Sequence, residues 1–140
     1  MARIIGIDYG RKRTGIAVTD PDKIIASPLT AVPTHELLGF LKKYIEEHDV
    51  ECIVVGEPKQ MDYSVSEAEQ YIKPFLGQLE KSFPNIKLAR VDERFTSKMA
   101  TQSILDSGAR KKDRKDKALV DKVSAAIILQ TYLEMQNKNF

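Results

Sequence analysis

The sequence predicts an α/β protein with a mixed sheet that is covered by helices on both faces. The chain opens with two short β-branched runs around a turn at residues 9–13, which is typical of a hairpin. Residues 51–55 contain a continuous apolar run from Cys52 to Val55, as expected for a central strand covered on both sides. Strand-like and helix-like patterns then alternate, which indicates strand–helix–strand crossovers.

The opening hairpin carries the first candidate functional residue. Its first strand, residues 3–7, leads into Asp8, and the return strand covers residues 14–19. Side-chain alternation places Gly6 on the same face as Asp8, so we expect no side chain there to obstruct the carboxylate. An acid at the end of an apolar central strand is costly unless something binds it, so Asp8 is a candidate ligand of a divalent cation.

The remaining elements follow from hydrophobic periodicity and from capping and turn residues. After the hairpin we predict, in order, a strand, a helix, the central strand, a helix, a strand and two helices: residues 23–29, 34–48, 51–55, 66–83, 85–91, 96–108 and 118–135. Pro28 and Pro33 should end the third strand, and Thr34 should cap the helix after it. Pro74 and Gly77 predict a kink or break in the helix that contains them.

Acidic residues follow or flank several of these elements. Asp8 ends the first strand, Asp92 and Glu93 end the last strand, and Asp121 lies in the first turns of the final helix. The predicted strand order allows both strand ends to lie at one edge, and two small residues after Asp121 would let its helix approach closely. Asp92 and Glu93 point to opposite faces of an extended strand, so we expect only one to reach the site.

Carboxylates gathered at one point raise one another's pKa unless a cation neutralises them. Two Mg²⁺ or Mn²⁺ ions roughly 4 Å apart would do so and would activate water for phosphodiester cleavage. Each acid also has a simpler interpretation. Asp8 could be a turn residue. Asp92 and Glu93 could be solvated at the strand end, or Glu93 could pair with Arg94 or Lys98. Asp121 could be an acid favoured by the helix dipole near an N-terminus.

Residues 109–117 form a charge run directly before the helix that carries Asp121. The net charge is only +2, so nucleic-acid affinity must come from local clustering. Such a run is often only a solvated loop. We predict here that it leads a phosphate backbone past the acids, and few aromatic residues favour recognition by shape and backbone. The cations predicted to contact nucleic acid are Lys12, Arg13, Arg94, Arg110, Lys111, Lys112 and Arg114.

The bulk properties fit one soluble domain over residues 1–140, with 42% hydrophobic and 30% charged residues. The single cysteine, Cys52, has no partner for an internal disulfide, which fits a reducing compartment. We see no signal peptide and no apolar stretch long enough to span a membrane. These features favour a protein of a reducing compartment with no membrane partner.

Four ordered motifs resemble one known family: GIDYGRKRTGIAVTD, IVVGEPKQMDYS, VDERFTS and VDKVSAAIIL. Together they are similar to the YqgF (RuvX) family of Holliday-junction resolvases and pre-16S rRNA nucleases. The resemblance implies a single ribonuclease-H-like domain with a five-stranded mixed sheet, a cytoplasmic location and processing of the 5′ end of pre-16S rRNA. It also implies that Asp8, Asp121 and the acid of the DER motif, Glu93 with Asp92 as the alternative, bind the metal ions.

The chain departs from this family pattern at two positions in the loop after the central strand. Glu57 stands where the family usually has an apolar residue, and Tyr63 stands where it usually has glycine. Glu57 could join the metal-binding acids or replace Glu93. The simpler alternative is a loop carboxylate at the surface, since Pro58 should turn the chain away.

Three classes of function remain open from the sequence. The first is a metal-dependent nuclease acting on structured RNA such as pre-16S rRNA, with ribosomal precursor particles as partners, or on branched DNA as a resolvase. The second is a phosphotransfer or ATPase module, because the spacing of Asp8, Gly10 and Gly15 also resembles the phosphate-binding hairpin of the actin and hexokinase superfamily. The third is a non-catalytic nucleic-acid-binding module. The sequence leaves open whether the protein is a monomer or a homodimer.

Overall fold

The computed structural model describes residues 2–22, 25–57, 69–92 and 117–137. Within these ranges the chain forms five strands: β1 (Arg3–Asp8), β2 (Arg13–Thr19), β3 (Ala26–Pro33), β4 (Val50–Glu57) and β5 (Lys87–Asp92). The helices described are α1 (Leu37–Glu47), preceded by a 3-10 turn (Thr34–Glu36), α2 (Glu69–Ser82) and α3 (Lys117–Asn137). The predicted helix at residues 96–108 lies outside the described residues.

The five strands form one mixed sheet in the order β3-β2-β1-β4-β5. β1 is antiparallel to β2 and parallel to β4, and β5 is parallel to β4. The carboxyl ends of β1, β4 and β5 therefore lie at the same edge of the sheet, where β2 begins. We call this edge, which carries Asp8, Arg13, Glu57 and Asp92, the carboxyl edge.

Helices cover both faces of the sheet, as the sequence predicts. On one face, the buried side chains of α1 and α2 pack against Ile5, Ile7 and Ile53. On the other face, α3 packs against Ile4 and against the inner residues of β4. The central strands are thus covered on both sides, which explains the continuous apolar run in β4. None of the helices in the described ranges is long and apolar enough to cross a membrane.

The third strand differs from its predicted bounds, since β3 continues through Pro28 to Pro33. The strand ends at Pro33, as predicted, but the prediction that Pro28 also ends it was wrong, because β3 lies at the edge of the sheet. An edge strand pairs on one side only, so it tolerates residues without an N–H group. The register between β2 and β3 also shifts beside Ala17, the partner of Pro28, so the irregularity falls at the proline.

Two further local predictions concern helices. The prediction that Thr34 caps the following helix was wrong, since no side-chain cap is present; its hydroxyl instead donates to the main-chain oxygen of Gly10 in the hairpin turn. The second helix does not break, because α2 is continuous with Pro74 inside it, while the alternative of a kink stays a prediction. Pro74 lacks the N–H of one intrahelical hydrogen bond, and the burial of Ile72, Phe75 and Leu79 in the core holds the helix together.

Candidate active site

Two glycines of the sheet, Gly15 and Gly6, allow the backbone of α3 to pack closely against it. A Cβ atom added to Gly15 in β2 would lie 1.9 Å from the main-chain oxygen of Asp121. A Cβ atom added to Gly6 in β1 would lie 2.7 Å from the Cβ atom of Leu129 and 2.9 Å from the main-chain oxygen of Ala125. The backbone of α3 therefore contacts the backbone of both strands. The space beside Gly6, predicted to leave Asp8 open to approach, is filled by this helix.

The contact at Gly15 brings Asp121 next to Asp8. Asp8 is the direct cross-strand partner of Gly15, and side-chain alternation places both on the face that α3 covers. Directly opposed residues in an antiparallel pair have Cα atoms only about 4.5–5.5 Å apart. Asp121 is the fifth residue of α3, as predicted, and the small residues after it, Ser124 and Ala125, are fully buried against the sheet.

The carboxylate of Asp121 forms an ion pair with the guanidinium of Arg13. The Nε atom of Arg13, the first residue of β2, donates a hydrogen bond of 2.8 Å to Oδ2 of Asp121. The Arg13 side chain is 41% exposed and that of Asp121 is 24% exposed, so this ion pair lies at the surface of the carboxyl edge. This pair could not be expected from the sequence, because the two residues are 108 positions apart.

The other acids of the carboxyl edge lie on the opposite face of the sheet. Glu57 and Asp92 are direct partners at the ends of β4 and β5. Val55 belongs to the cluster under α1 and α2, and alternation gives Glu57 the same face. Val91 belongs to the cluster under α3, so Asp92 lies on the face away from α3. This placement disfavours both as partners of Asp8, and within the described ranges no three potential metal ligands cluster.

Several of the predicted site residues lie outside the described residues, so their roles stay predictions. They are Glu93, Arg94, Arg110, Lys111, Lys112 and Arg114.

Arg90 connects three elements beneath the carboxyl edge. Its two terminal nitrogens bind both carboxylate oxygens of Glu69 at 2.8 and 3.0 Å. Its Nε and Nη2 atoms donate to the main-chain oxygens of Val55 and Gly56, each at 3.1 Å. Glu69 is only 5% exposed. Ser66 and Glu69 have the three-residue spacing that predicts a capping box at a helix N-terminus. The structure pairs the Glu69 side chain with Arg90, and Ser66 lies outside the described residues.

The hairpin turn between β1 and β2 is held against both α1 and α2. The main-chain N–H of Thr34 donates to the oxygen of Lys12 at 2.9 Å. The Tyr9 ring stacks on that of Phe75, with centroids 4.9 Å apart. The Arg11 guanidinium lies 4.2 Å above the ring of Tyr71. This exposed pair was missed from the sequence, because only the fold brings the turn to α2.

A cavity of about 440 Å³ lies at the opposite edge, where the parallel strands begin. Ile4, Cys52, Lys87 and Tyr132 contribute to its walls. Burial raises the pKa of the Cys52 thiol and of the Tyr132 hydroxyl, which lie 3.9 Å apart. The thiol therefore stays protonated and unreactive at neutral pH. The cavity is separate from Asp8 and Asp121, which lie at the carboxyl edge.

Comparisons with known proteins agree with this architecture. A family model described as "RuvX: Holliday junction resolvase" matches residues 2–135. The chain belongs to the RuvX family. The resemblance inferred from the four sequence motifs is thereby confirmed.

Two relatives of this RuvX chain come from Phocaeicola vulgatus and Porphyromonas gingivalis, and both carry the name "Putative pre-16S rRNA nuclease". The first is 59% identical and the alignment covers 96% of each chain. The second is 58% identical, covering 96% of this chain and 97% of the relative. Among solved structures, T. thermophilus RuvC in complex with a Holliday junction substrate aligns over 96% of both chains, with 19% identity and a TM-score of 0.56. This likeness confirms the ribonuclease-H-like fold.

Proposed function

We propose that this RuvX chain is a divalent-metal-dependent nuclease that hydrolyses phosphodiester bonds in structured RNA, with the 5′ end of pre-16S rRNA as its substrate. Family membership and the names of the relatives support the reaction class and the substrate. The observation that carries the assignment of the site is the ladder pair of Asp8 with Gly15, on which the backbone of Asp121 rests.

The residues at the carboxyl edge fit a divalent cation. Asp8 and Asp121 supply carboxylate oxygens, the donors that Mg²⁺ and Mn²⁺ prefer. The Arg13 guanidinium beside Asp121 marks a place where positive charge is stabilised. For the third ligand we choose Glu93 over Asp92, because Asp92 lies on the face of the sheet away from α3 and Asp8.

The chain's own residues would hold and orient the substrate. Bound Mg²⁺ or Mn²⁺ would activate water and stabilise the leaving 3′ oxygen during hydrolysis. Asp8 and Asp121 fix the site on a rigid ladder and a packed helix, so the reacting phosphate is positioned by elements that move little. Lys12 is exposed in the turn next to Asp8 and is suited to contact a neighbouring phosphate. The basic residues that precede α3 in the chain would extend this line of phosphate contacts; they are Arg110, Lys111, Lys112 and Arg114.

The proposed substrate also predicts where the protein acts and which partners it meets. We propose a cytoplasmic location, with the ribosomal precursor particles that contain pre-16S rRNA as partners. The only cysteine, Cys52, is free and buried, which agrees with a reducing compartment.

Cleavage of two substrates with purified protein tests this function. We expect Mn²⁺-dependent cutting of a synthetic precursor with the 5′ leader of 16S rRNA, and weaker cutting of a four-way DNA junction. Asp8→Asn and Asp121→Asn should each abolish cleavage. Glu134→Gln is the matched control, because Glu134 is an exposed acid on the same helix as Asp121. Full activity in both aspartate variants would refute the site.

The resolvase function is the second candidate. The description of the family model as a Holliday junction resolvase supports it. Preferential cutting of the four-way junction in the same experiment would favour branched DNA as the substrate. Binding of both nucleic acids without cleavage under any divalent ion would instead indicate a non-catalytic binding module.

A further inference from the structure

The two arginine–carboxylate pairs in the described ranges differ in a way that suggests different roles. Arg90 binds Glu69 through two parallel hydrogen bonds, and the Glu69 side chain is 7% exposed. Arg13 binds Asp121 through a single hydrogen bond, and its side chain is 41% exposed. A bidentate, buried pair is costly to separate, whereas a single exposed contact is weak and exchanges easily.

We propose that Arg13 is an exchangeable counter-ion of Asp121: it neutralises this carboxylate until a divalent cation binds, and it is then released to bind a phosphate of the nucleic acid. The inference rests on the proposed function, because it requires that Asp121 is a metal ligand. It makes Arg13 a positioning residue that couples metal binding to substrate binding.

The geometry of the edge supports such an exchange. Arg13 and Gly15 lie on the same face of β2, and Gly15 opposes Asp8, so the guanidinium that binds Asp121 belongs to the face of the sheet that carries both acids of the proposed site. While Arg13 binds Asp121, its charge is compensated and attracts phosphate weakly. When another cation takes the carboxylate, the guanidinium becomes an uncompensated charge at an exposed edge, next to Lys12, where the substrate backbone would pass.

Metal affinity measured by calorimetry gives the first test. We expect Arg13→Met to bind Mn²⁺ about two- to fivefold more tightly than the wild type, the range for removal of a competing exposed ion pair. Lys12→Met is the matched control, because it removes the same charge from the same turn without touching Asp121. Its affinity for Mn²⁺ should change less. Arg13→Lys, which keeps the charge but loses the Nε contact, should fall between Arg13→Met and the wild type.

The salt dependence of RNA affinity gives the second test, with Ca²⁺ as a divalent ion that limits cleavage. In EDTA, the wild type and Arg13→Met should show the same slope of log affinity against log salt. With Ca²⁺, the wild type should be steeper than Arg13→Met by about 0.7, the value for one phosphate contact on a single strand. Lys12→Met should lower the slope equally in both conditions.

The outcomes separate this inference from the function on which it rests. Mn²⁺ binding by the wild type with equal affinity in Arg13→Met would refute the exchange and leave the metal site intact. An Arg13→Met effect on the salt slope that is the same in EDTA and Ca²⁺ would also refute it, because Arg13 would then contact phosphate without release. Absence of Mn²⁺ binding by the wild type would refute the metal site itself.

Discussion

Gly15→Ala is the most informative single perturbation of this structure. The added Cβ atom would lie 1.9 Å from the main-chain oxygen of Asp121 and 2.3 Å from its carbonyl carbon. Real Cβ contacts stay beyond 3.0 Å, so α3 must move away from β2 by at least about 1.1 Å. The obstructing atoms belong to the backbone of a packed helix, which cannot rotate aside as a side chain would.

This displacement predicts losses of both stability and function. Overpacking of this kind costs about 1–3 kcal/mol, and we expect the upper part of that range because two backbones collide. For a chain of this size, that corresponds to a fall in Tm of roughly 8–12 °C. A shift of about 1 Å between Asp121 and Asp8 should also lower cleavage about 100-fold, because catalysis depends strongly on the alignment of the reacting groups.

Urea denaturation followed by circular dichroism measures the stability change. Gly77→Ala is the matched control, since nothing lies within 4 Å of the Cβ position at Gly77 in α2. Alanine in this helix should raise the free energy of unfolding by about 0.5–1 kcal/mol. If Gly15→Ala were as stable as the wild type, α3 could not rest on Gly15, and the argument that brings Asp121 to Asp8 would be wrong.

Three further predictions concern other parts of the molecule. Arg90→Met should lower the free energy of unfolding by about 3 kcal/mol in urea, since it leaves the buried Glu69 carboxylate unpaired, and adding Glu69→Met should restore much of the loss; equal stability of single and double variants would contradict this. Burial raises the pKa of Cys52, so the native thiol keeps its proton at pH values where the unfolded thiol, with its ordinary pKa of 9.0, loses it. The free energy of unfolding should therefore fall above about pH 9, less steeply in Cys52→Ala, and an identical pH profile would count against the burial. Replacing Lys111 and Lys112 by alanine should reduce the salt slope of RNA affinity by roughly 0.7 per lost contact, and an unaltered slope would make this run a solvated loop.

The sheet and its helices were predictable because each depends on local sequence patterns. The apolar run in β4 requires cover on both faces, and the small residues at 124 and 125 mark the face of α3 that approaches the sheet. Pro28 of β3 misled the prediction because the effect of a proline depends on whether its strand lies at an edge, which is a property of the complete sheet. The uninterrupted α2 shows similarly that packing can override a local preference.

The site was only partly predictable. Alternation along β1 assigned Asp8 to its face, and helical periodicity placed Asp121 toward the sheet. The pairing of Arg13 with Asp121 was not accessible, because it depends on how far along the sheet α3 begins. The same holds for Arg90, because β5 also carries the charged residues Lys87 and Asp92, so its charge alone did not indicate a buried partner. The roles of the site residues and the one-domain organisation stay predictions.

The most direct test of the account is the position of Mn²⁺ in crystals of the protein, measured by anomalous scattering. We predict a peak within bonding distance of a carboxylate oxygen of Asp8 and one of Asp121, with the Arg13 side chain moved away from Asp121. Mn²⁺ bound only at another surface, with Asp121 still paired to Arg13 in a preparation that cleaves RNA, would contradict the proposed site.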